Sequence, residues 1–401
     1  MINRNLYLNQ IIPFIDKPLI KVLAGIRRSG KSMLMMLLRE HLIENGIPKE
    51  RIIYINFESF EFQELSNAQK LYEFIREKIS GTERYYILID EIQEVESWEK
   101  VVNALLVDFN SDVYITGSNS RLLSSELATY IAGRYVEIHV QTLSFAEQLL
   151  FSPSGTRKLD DEFNKYLHLG GFPVLHIGEY DTESAYRIIH DIYSSAIMRD
   201  AVQRHNIRDI ELLERVVRFV FDNIGSRISA KNIADYFKSQ YRKVDLNTVY
   251  NYLNALESAF IFYRVPRYDI KGKEILKTLE KFYPGDHAIL FGVMGFKDRL
   301  ISGVLENIVM LELKRRGYNV FVGKIEDKEI DFVAVKNNQK IYVQVTYKMS
   351  EQSTIDREFG PLLDVNDQYP KYVVSMEETW RDTMEGVRHI HIADFLLLDE
   401  F

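Results

Sequence analysis

The stretch Gly25-Ile26-Arg27-Arg28-Ser29-Gly30-Lys31-Ser32 matches the pattern G-x-x-x-x-G-K-[ST], and its surroundings suit that pattern. An apolar, β-branched run, Ile20–Ala24, precedes it, and a helical pattern from about Lys31 to Asn45 follows. The two glycines let the chain curl so that successive backbone N–H groups face one point, and the helix amino terminus adds its partial positive charge. Such a loop is expected to cradle the phosphates of ATP. Lys31 then bridges the β- and γ-phosphates, and Ser32 gives an oxygen to Mg²⁺.

A magnesium–phosphate site also needs a carboxylate at the end of a neighbouring strand. Tyr85-Tyr86-Ile87-Leu88-Ile89-Asp90-Glu91 is an apolar run that ends in two acids. Asp90 is expected to hold the metal through its waters, and Glu91 to polarise the attacking water as general base. Another run, Val113–Gly117, ends in Thr116-Gly117-Ser118-Asn119. These polar groups emerge at the carboxyl edge, where open α/β sheets bind ligands. Asn119, or failing it Ser118, is expected to orient the hydrolytic water or sense the γ-phosphate. In Ala132-Gly133-Arg134 the arginine has two readings: action on the γ-phosphate of its own or a neighbouring subunit, or a surface ion pair.

Working outward, strands are predicted at Ile20–Ala24, Ile52–Phe57, Tyr85–Asp90, Val113–Gly117 and Val136–Val140, with helices at Lys31–Asn45, Ala68–Ile79 and Trp98–Asn110. This alternation predicts an α/β P-loop domain over residues 1–150, a parallel sheet with helices on both faces. The turn formers from Phe151 to Arg157 mark its boundary. A helical region is expected over 151–220, interrupted by a turn at Gly170-Gly171-Phe172-Pro173. Helices Ser229–Lys238 and Leu246–Ser258, followed by the extended run Phe260–Val265, have the order of a winged helix over 221–282. From 283 to 401 a smaller α/β domain is expected. It contains a helix Leu300–Arg316 capped by Gly317, strands Asn319–Val322, Ile330–Val335 and Lys340–Tyr347, a helix near Glu358–Val365, and a strand Tyr372–Ser375.

At 401 residues the chain exceeds the roughly 250–300 residues at which one core stops growing, so several domains are expected. The absence of cysteine excludes disulfides, thiolate metal sites and a cysteine nucleophile. No signal-peptide pattern opens the sequence and no apolar run approaches the ~20 residues needed to span a bilayer, so a cytoplasmic protein with no membrane partner is expected. With a net charge of -8, nucleic-acid binding requires a local basic patch. The second winged-helix-like helix offers Asn247, Thr248, Asn251 and Asn254 but no cation. Arg242, Lys243, Lys271 and Lys273 are the nearest candidates for phosphate contact, a sparse patch that favours packing or protein interaction.

Taken together these residues resemble the prokaryotic AAA-type ATPases that carry a carboxy-terminal domain of unknown function with a restriction-endonuclease-like end. The resemblance rests on Gly25–Ser32, Ile55-Asn56-Phe57-Glu58, Leu88-Ile89-Asp90-Glu91-Ile92-Gln93, Thr116–Asn119, Gly133-Arg134, Leu143-Ser144-Phe145, Gly170–Pro173, Tyr193–Asp200 and Leu305-Glu306-Asn307. It implies a core with an extra strand between the P-loop and Walker B strands, Glu91 as catalytic base, an acting arginine at Arg134, and a homo-oligomer.

Nucleases of that carboxy-terminal fold cluster an acid on a helix, an acid on a strand, and a Glu/Gln-x-Lys on the next strand around Mg²⁺. The matching positions are Glu306, Asp331 and Gln344-Val345-Thr346. Thr346 stands where lysine is expected, and Gln344 offers a neutral oxygen, which suits a hard cation less well than a carboxylate. Lys348, on the same strand face by period-two alternation, is the candidate substitute. A degenerate nuclease-like module is therefore expected. The function that follows is a Mg²⁺-dependent ATPase acting as a conformational switch on that module, with nucleic acid or a partner protein as its target. The alternative is a metal-dependent DNA nuclease regulated by the ATPase domain.

Overall fold

A dozen or more residues separate each of the first five strands from the next, room enough for the crossovers that parallel pairing requires. In the computed structural model, which describes residues 3–119, 133–151, 158–178, 180–349, 351–377 and 383–401, these strands form one parallel sheet. They are β1 (Ile20–Ala24), β2 (Ile52–Asn56), β3 (Tyr85–Asp90), β4 (Ser111–Gly117) and β5 (Tyr135–His139), in the order β2-β3-β4-β1-β5. Strand β4 therefore lies between the P-loop strand and the acid-bearing strand. Among the described residues of this unit the α-helices are α1 (Asn5–Ile11), α2 (Lys31–Glu44), α3 (Ala68–Lys78) and α4 (Trp98–Asp108).

Adjacent residues of each strand serve opposite faces. Val22 and Ile87 enter a core with Leu71, Val102 and Leu105 of α3 and α4, whereas Leu23 and Leu88 enter another with Tyr7, Leu34 and Leu38 of α1 and α2. Burial on both faces is why these strands read as continuous apolar runs rather than alternating ones.

The turn from β1 into α2 is built for close backbone approach. A Cβ on Gly25 would stand 2.0 Å from the carbonyl oxygen of Val140, so only hydrogen fits there. Gly30, at the amino end of α2, has φ 97°, which costs little only without a Cβ. A residue far upstream braces the loop. The buried guanidinium of Arg4 donates to the carbonyl oxygens of Ser29 and Gln141, each at 2.9 Å, and lies 4.5 Å from the ring centre of Tyr7. The Tyr7 hydroxyl in turn accepts the Gln141 N–H at 3.1 Å.

The chain divides into two compact units, 1–141 and 142–401. Of the boundary expected from Phe151 to Arg157, positions 152–157 lie outside the described residues. The second unit opens with α5 (Phe145–Leu149), α6 (Leu159–Leu169), α7 (Val174–Ile177), α8 (Thr182–Ala196) and α9 (Ile210–Asp222). Between α6 and α7, the Gly171 N–H donates to the buried carboxylate of Asp286 at 2.9 Å, which also accepts the Thr142 hydroxyl at 2.5 Å. A Cβ on Gly171 would meet the Leu143 carbonyl oxygen at 2.2 Å, so the glycine turn and the Leu143-Ser144-Phe145 segment are parts of one packed corner.

There follow β6 (Arg227–Ile228), α10 (Ala230–Ser239), α11 (Leu246–Ser258), β7 (Phe262–Asp269), β8 (Glu274–Pro284), α12 (His287–Met294), α13 (Ile301–Arg315), β9 (Asn319–Ile325), β10 (Lys328–Lys336), β11 (Gln339–Val345), α14 (Gln352–Leu363), β12 (Lys371–Ser375), β13 (Thr383–Met384), β14 (Val387–His391) and α15 (Ile392–Leu397). Their strands make one mixed sheet, β13-β14-β12-β11-β10-β9-β7-β8-β6. Strands β9, β10 and β11 are antiparallel neighbours, and β11, β12 and β14 run parallel. The division expected at 282/283 falls inside β8. Because β7 pairs with both β8 and β9, the sheet continues across it. The charged residues Lys277, Glu280 and Lys281 disguise β8 as surface chain, although Lys281 is buried.

Replacing Arg4 removes two charge-assisted hydrogen bonds, one to Ser29 of the P-loop and one to Gln141. Arg4→Ala is expected to lower the stability of the first unit by about 1.5–3 kcal/mol, read as a shift in its urea midpoint. An unchanged midpoint would show that the loop stands without it.

Candidate functional site

Helix α2 begins at Lys31, so the backbone N–H groups of its first turn face back into the loop. The Lys31 ammonium is buried and donates to the carbonyl oxygens of Gly25 and Ile26 at 2.9 and 3.1 Å. Ser32 stands close enough to Asp90 to pull its pKa down, which brings the loop to the carboxyl end of β3. Asp90 is fully buried and also accepts hydroxyl hydrogen bonds from Thr116 at the end of β4 and from Tyr54 of β2, the latter at 3.3 Å. Burial raises its pKa above the usual carboxylate value, while Ser32, the bond from Thr116 and the charge of Lys31 pull it back.

Beyond Asp90 the chain leaves the sheet through a left-handed residue, Glu91, at φ 56° and ψ 49°. For a residue with a side chain that conformation costs about 1–2 kcal/mol. It is held by the Glu91 N–H donating to the Thr116 hydroxyl oxygen at 2.9 Å and by the Gln93 amide donating to the Glu91 carboxylate. Ser118 and Asn119, just past β4, are both fully buried.

The loop residues fit a triphosphate. The Ser29 hydroxyl is buried with no hydrogen-bond partner among the described residues, a state that costs about 1–3 kcal/mol unless a ligand oxygen relieves it. Gly25 leaves no room for a Cβ, and Ile26 is buried beside it. Arg28 takes a left-handed turn at φ 65°, and Arg27 pairs with Glu58 at 3.5 Å. Ser32 and Asp90 are the residues positioned to hold Mg²⁺.

Arg134 does not join this group. A strand parallel to β1 must start at the edge where β1 starts, and Tyr135 of β5 sits opposite Ile20. The Ile20 N–H donates to the Arg134 carbonyl oxygen at 2.8 Å, whereas the P-loop leaves β1 at Ala24, about 13 Å further along at ~3.3 Å per residue. Its guanidinium reaches the amide oxygen of Asn103 at 3.4 Å. Action of Arg134 on a nucleotide in its own subunit is incompatible with this placement.

In the second unit Glu306 of α13, Asp331 of β10 and Gln344 of β11 do converge, but around a group that sequence reasoning missed. The Lys281 ammonium of β8 lies 3.1 Å from Glu306, 2.9 Å from Glu329 and 3.0 Å from Asp331. Tyr283 donates to Glu306 at 2.6 Å. Burial pushes the Glu306 carboxyl up to about 8 against the pull of Lys281. Burial also opposes the ammonium, but Glu306, Tyr283, Asp331 and Glu329 outweigh it and raise Lys281 well above the ordinary lysine value. Lys348 stays outside the cluster. Strand β11 ends at Val345, so alternation no longer carries it to that face, and its exposed ammonium lies 5.3 Å from the Tyr347 ring centre. The one signal for Lys281 was a lysine beside the apolar pair Phe282-Tyr283.

Two of the four cations of the sparse basic patch near α11 are paired with acids. Arg242 pairs with Asp209 at 2.6 Å and Glu211 at 3.5 Å, and Lys271 pairs with Glu326. Asn254 accepts from Arg264 at 2.9 Å.

Comparison with known proteins agrees with the first unit's geometry. Residues 17–149 match the AAA domain family, and residues 160–300 match a domain of unknown function (DUF8612). An uncharacterized protein of Haemophilus influenzae is 41% identical over 400 residues, covering 99% of each chain. Uncharacterized protein MJ1544 of Methanocaldococcus jannaschii is 31% identical over 346 residues, covering 83% of this chain and 75% of its own. Among solved structures, the Walker-type ATPase paby2304 of Pyrococcus abyssi is similar in fold, with a TM-score of 0.51 at 16% identity over 73% of this chain and 96% of that one. A Walker-type loop and acid strand on a five-stranded parallel sheet, within a chain alike from end to end to the Haemophilus influenzae protein, place it in that protein's family, whose amino-terminal part is an AAA P-loop ATPase domain.

Proposed function

We propose that this protein is a Mg²⁺-dependent ATPase whose hydrolysis cycle works as a conformational switch on its carboxy-terminal module or on a partner held there. The observation that carries this reading is the joining of Lys31, Ser32, Asp90, Thr116 and Glu91 at one sheet edge. A loop alone would support only binding. A loop set beside a buried strand-end acid, with a second acid next to it, supports cleavage of the bound phosphate.

In this reading the carbonyl contacts of Lys31 give way to β- and γ-phosphate oxygens, and Ser32 and Asp90 hold Mg²⁺, which neutralises the phosphate charge. Glu91 takes a proton from the attacking water, and Asn119 or Ser118 orients that water. The Gln93 amide bonded to Glu91 restrains the base, so slow basal turnover is expected. For Arg134, remote from its own P-loop, a surface contact and action across a subunit boundary remain, and the second is the reading taken here, which makes a homo-oligomer part of the proposal. The winged-helix-like order β6-α10-α11-β7-β8 and the nuclease-like order α13-β9-β10-β11-α14-β12 are read as the module on which the switch acts.

Phosphate release and ATP affinity should separate two variants. Lys31→Ala is expected to lose nucleotide binding. Glu91→Gln should bind ATP normally but hydrolyse it at least ~100-fold more slowly, the scale of general-base catalysis. Wild-type turnover in Glu91→Gln would remove Glu91 as the base, and no turnover in any chain at saturating Mg²⁺ and ATP would reduce the domain to a binding module.

Mixing provides the check on Arg134. Arg134→Ala and Lys31→Ala chains, each inactive alone, should regain part of the activity when combined, because mixed assemblies then contain an intact loop facing an intact arginine. An Arg134→Ala chain as active as wild type would contradict the assignment.

A further inference from the structure

We infer that the ammonium of Lys281 is the resident cation of the acid cluster made by Glu306, Glu329 and Asp331, standing in the place that a divalent metal would otherwise have to fill. This inference is independent of the ATPase reading.

Most of the cluster's polar atoms are engaged, Glu329 Oε2 being an exception that has no hydrogen-bond partner among the described residues and faces the Arg227 guanidinium at 3.4 Å. An ammonium has three donors and no acceptor, and Lys281 lies 2.9–3.1 Å from three acidic side chains, donating hydrogen bonds to Glu306 and Asp331 and facing Glu329 as a charge contact. The oxygens left over are largely engaged. Glu306 Oε2 also accepts from the Tyr283 hydroxyl, Asp331 Oδ2 accepts the Val345 N–H at 2.9 Å, and Gln344 Oε1 accepts the Asp331 N–H at 3.1 Å. The far side of Glu306 is closed by Gly225, where a Cβ would stand 2.9 Å from Oε1. A Mg²⁺ or Mn²⁺ ion needs about six oxygen ligands in an octahedron, and this shell does not offer them while Lys281 is present. Among the described residues, no group of three or more histidine, cysteine or acidic side chains is arranged to hold a metal.

The ammonium is also anchored. Lys281 is opposite Val265 in β7 and Arg227 in β6, so the strand ladder fixes its backbone, and its side chain is 2% exposed. A tethered cation does not dissociate as a metal ion does. Removing it would leave buried carboxylates facing one another, a strongly unfavourable arrangement that a divalent ion of matching charge would relieve. The cluster is thus a latent cation site, masked by a lysine that also ties β8 to β10 and α13. In this form it lacks the metal-activated water that hydrolytic cutting of a phosphodiester by this type of site requires.

The test uses the full-length chain without nucleotide, in an Asp90→Asn background so that the P-loop contributes no metal signal. Bound Mn²⁺ is followed by electron paramagnetic resonance and by the shift in thermal midpoint. With Lys281 present, no Mn²⁺ site that depends on Asp331 is expected. Lys281→Ala should melt at lower temperature, recover on addition of Mn²⁺, and bind Mn²⁺ about tenfold or more tightly than the parent; adding Asp331→Asn should erase that gain. If Lys281→Ala does not fold, Lys281→Met combined with Glu306→Gln, Glu329→Gln and Asp331→Asn should restore folding, because the charges needing neutralisation are gone, and failure of that combination overturns the inference. So does an Asp331-dependent Mn²⁺ site in the chain that keeps Lys281. Asp331-dependent nicking of plasmid DNA by that chain with Mg²⁺ or Mn²⁺ would overturn it equally, as would a Lys281→Ala chain of unchanged stability that binds no Mn²⁺.

Discussion

The buried carboxylate of Asp90 is the constraint on which the candidate site depends. It sits at the end of a strand with apolar side chains on both faces, where a charge is costly unless hydrogen bonds hold it. The bonds come from Thr116 on β4 and Tyr54 on β2, with Ser32 of the P-loop helix close enough to stabilise the charge, so one acid is in touch with three segments of chain beyond its own. Sheet order makes this possible. With β4 between β1 and β3, the Thr116 hydroxyl reaches both Asp90 and the N–H of Glu91, fixing the buried acid and the turn at the second acid in one step.

Much of this was legible in the sequence, because the relevant forces are local. Buried parallel strands show as uninterrupted apolar runs, and the loop shows as glycines at positions where a Cβ would collide or the backbone must turn left-handed. Arg4 was not legible, because its two acceptors lie 25 and 137 residues away and nothing in its neighbourhood announces them. Arg134 was legible as an arginine near the right domain but not as a group on the wrong edge. Only the parallel pairing of β5 with β1 shows that the start of β5 and the P-loop face opposite ways.

The second unit repeats the lesson with charge. Glu306, Asp331 and Gln344 could be aligned to a pattern, and they do meet. The cation among them could not be found by spacing, since Lys281 comes from a strand outside the pattern and before it in the chain, and the nearby Lys348 offered a simpler substitute. Buried ion clusters of this kind add little net stability, because desolvation offsets much of the attraction. Their effect here is positional, holding β8 against β10 and α13 within a single sheet.

The central claim, that the first unit cleaves ATP through the joined loop and acid strand, is tested most directly by Mg²⁺-dependent phosphate release from Asp90→Asn beside wild type. The substitution preserves shape while removing the negative charge, and one of the two acceptor oxygens that Thr116 and Tyr54 use, on which a bound metal would depend. Wild type should release phosphate in proportion to bound Mg²⁺–ATP, and Asp90→Asn should bind ATP yet release phosphate at or near background. Turnover in Asp90→Asn equal to wild type would contradict the account.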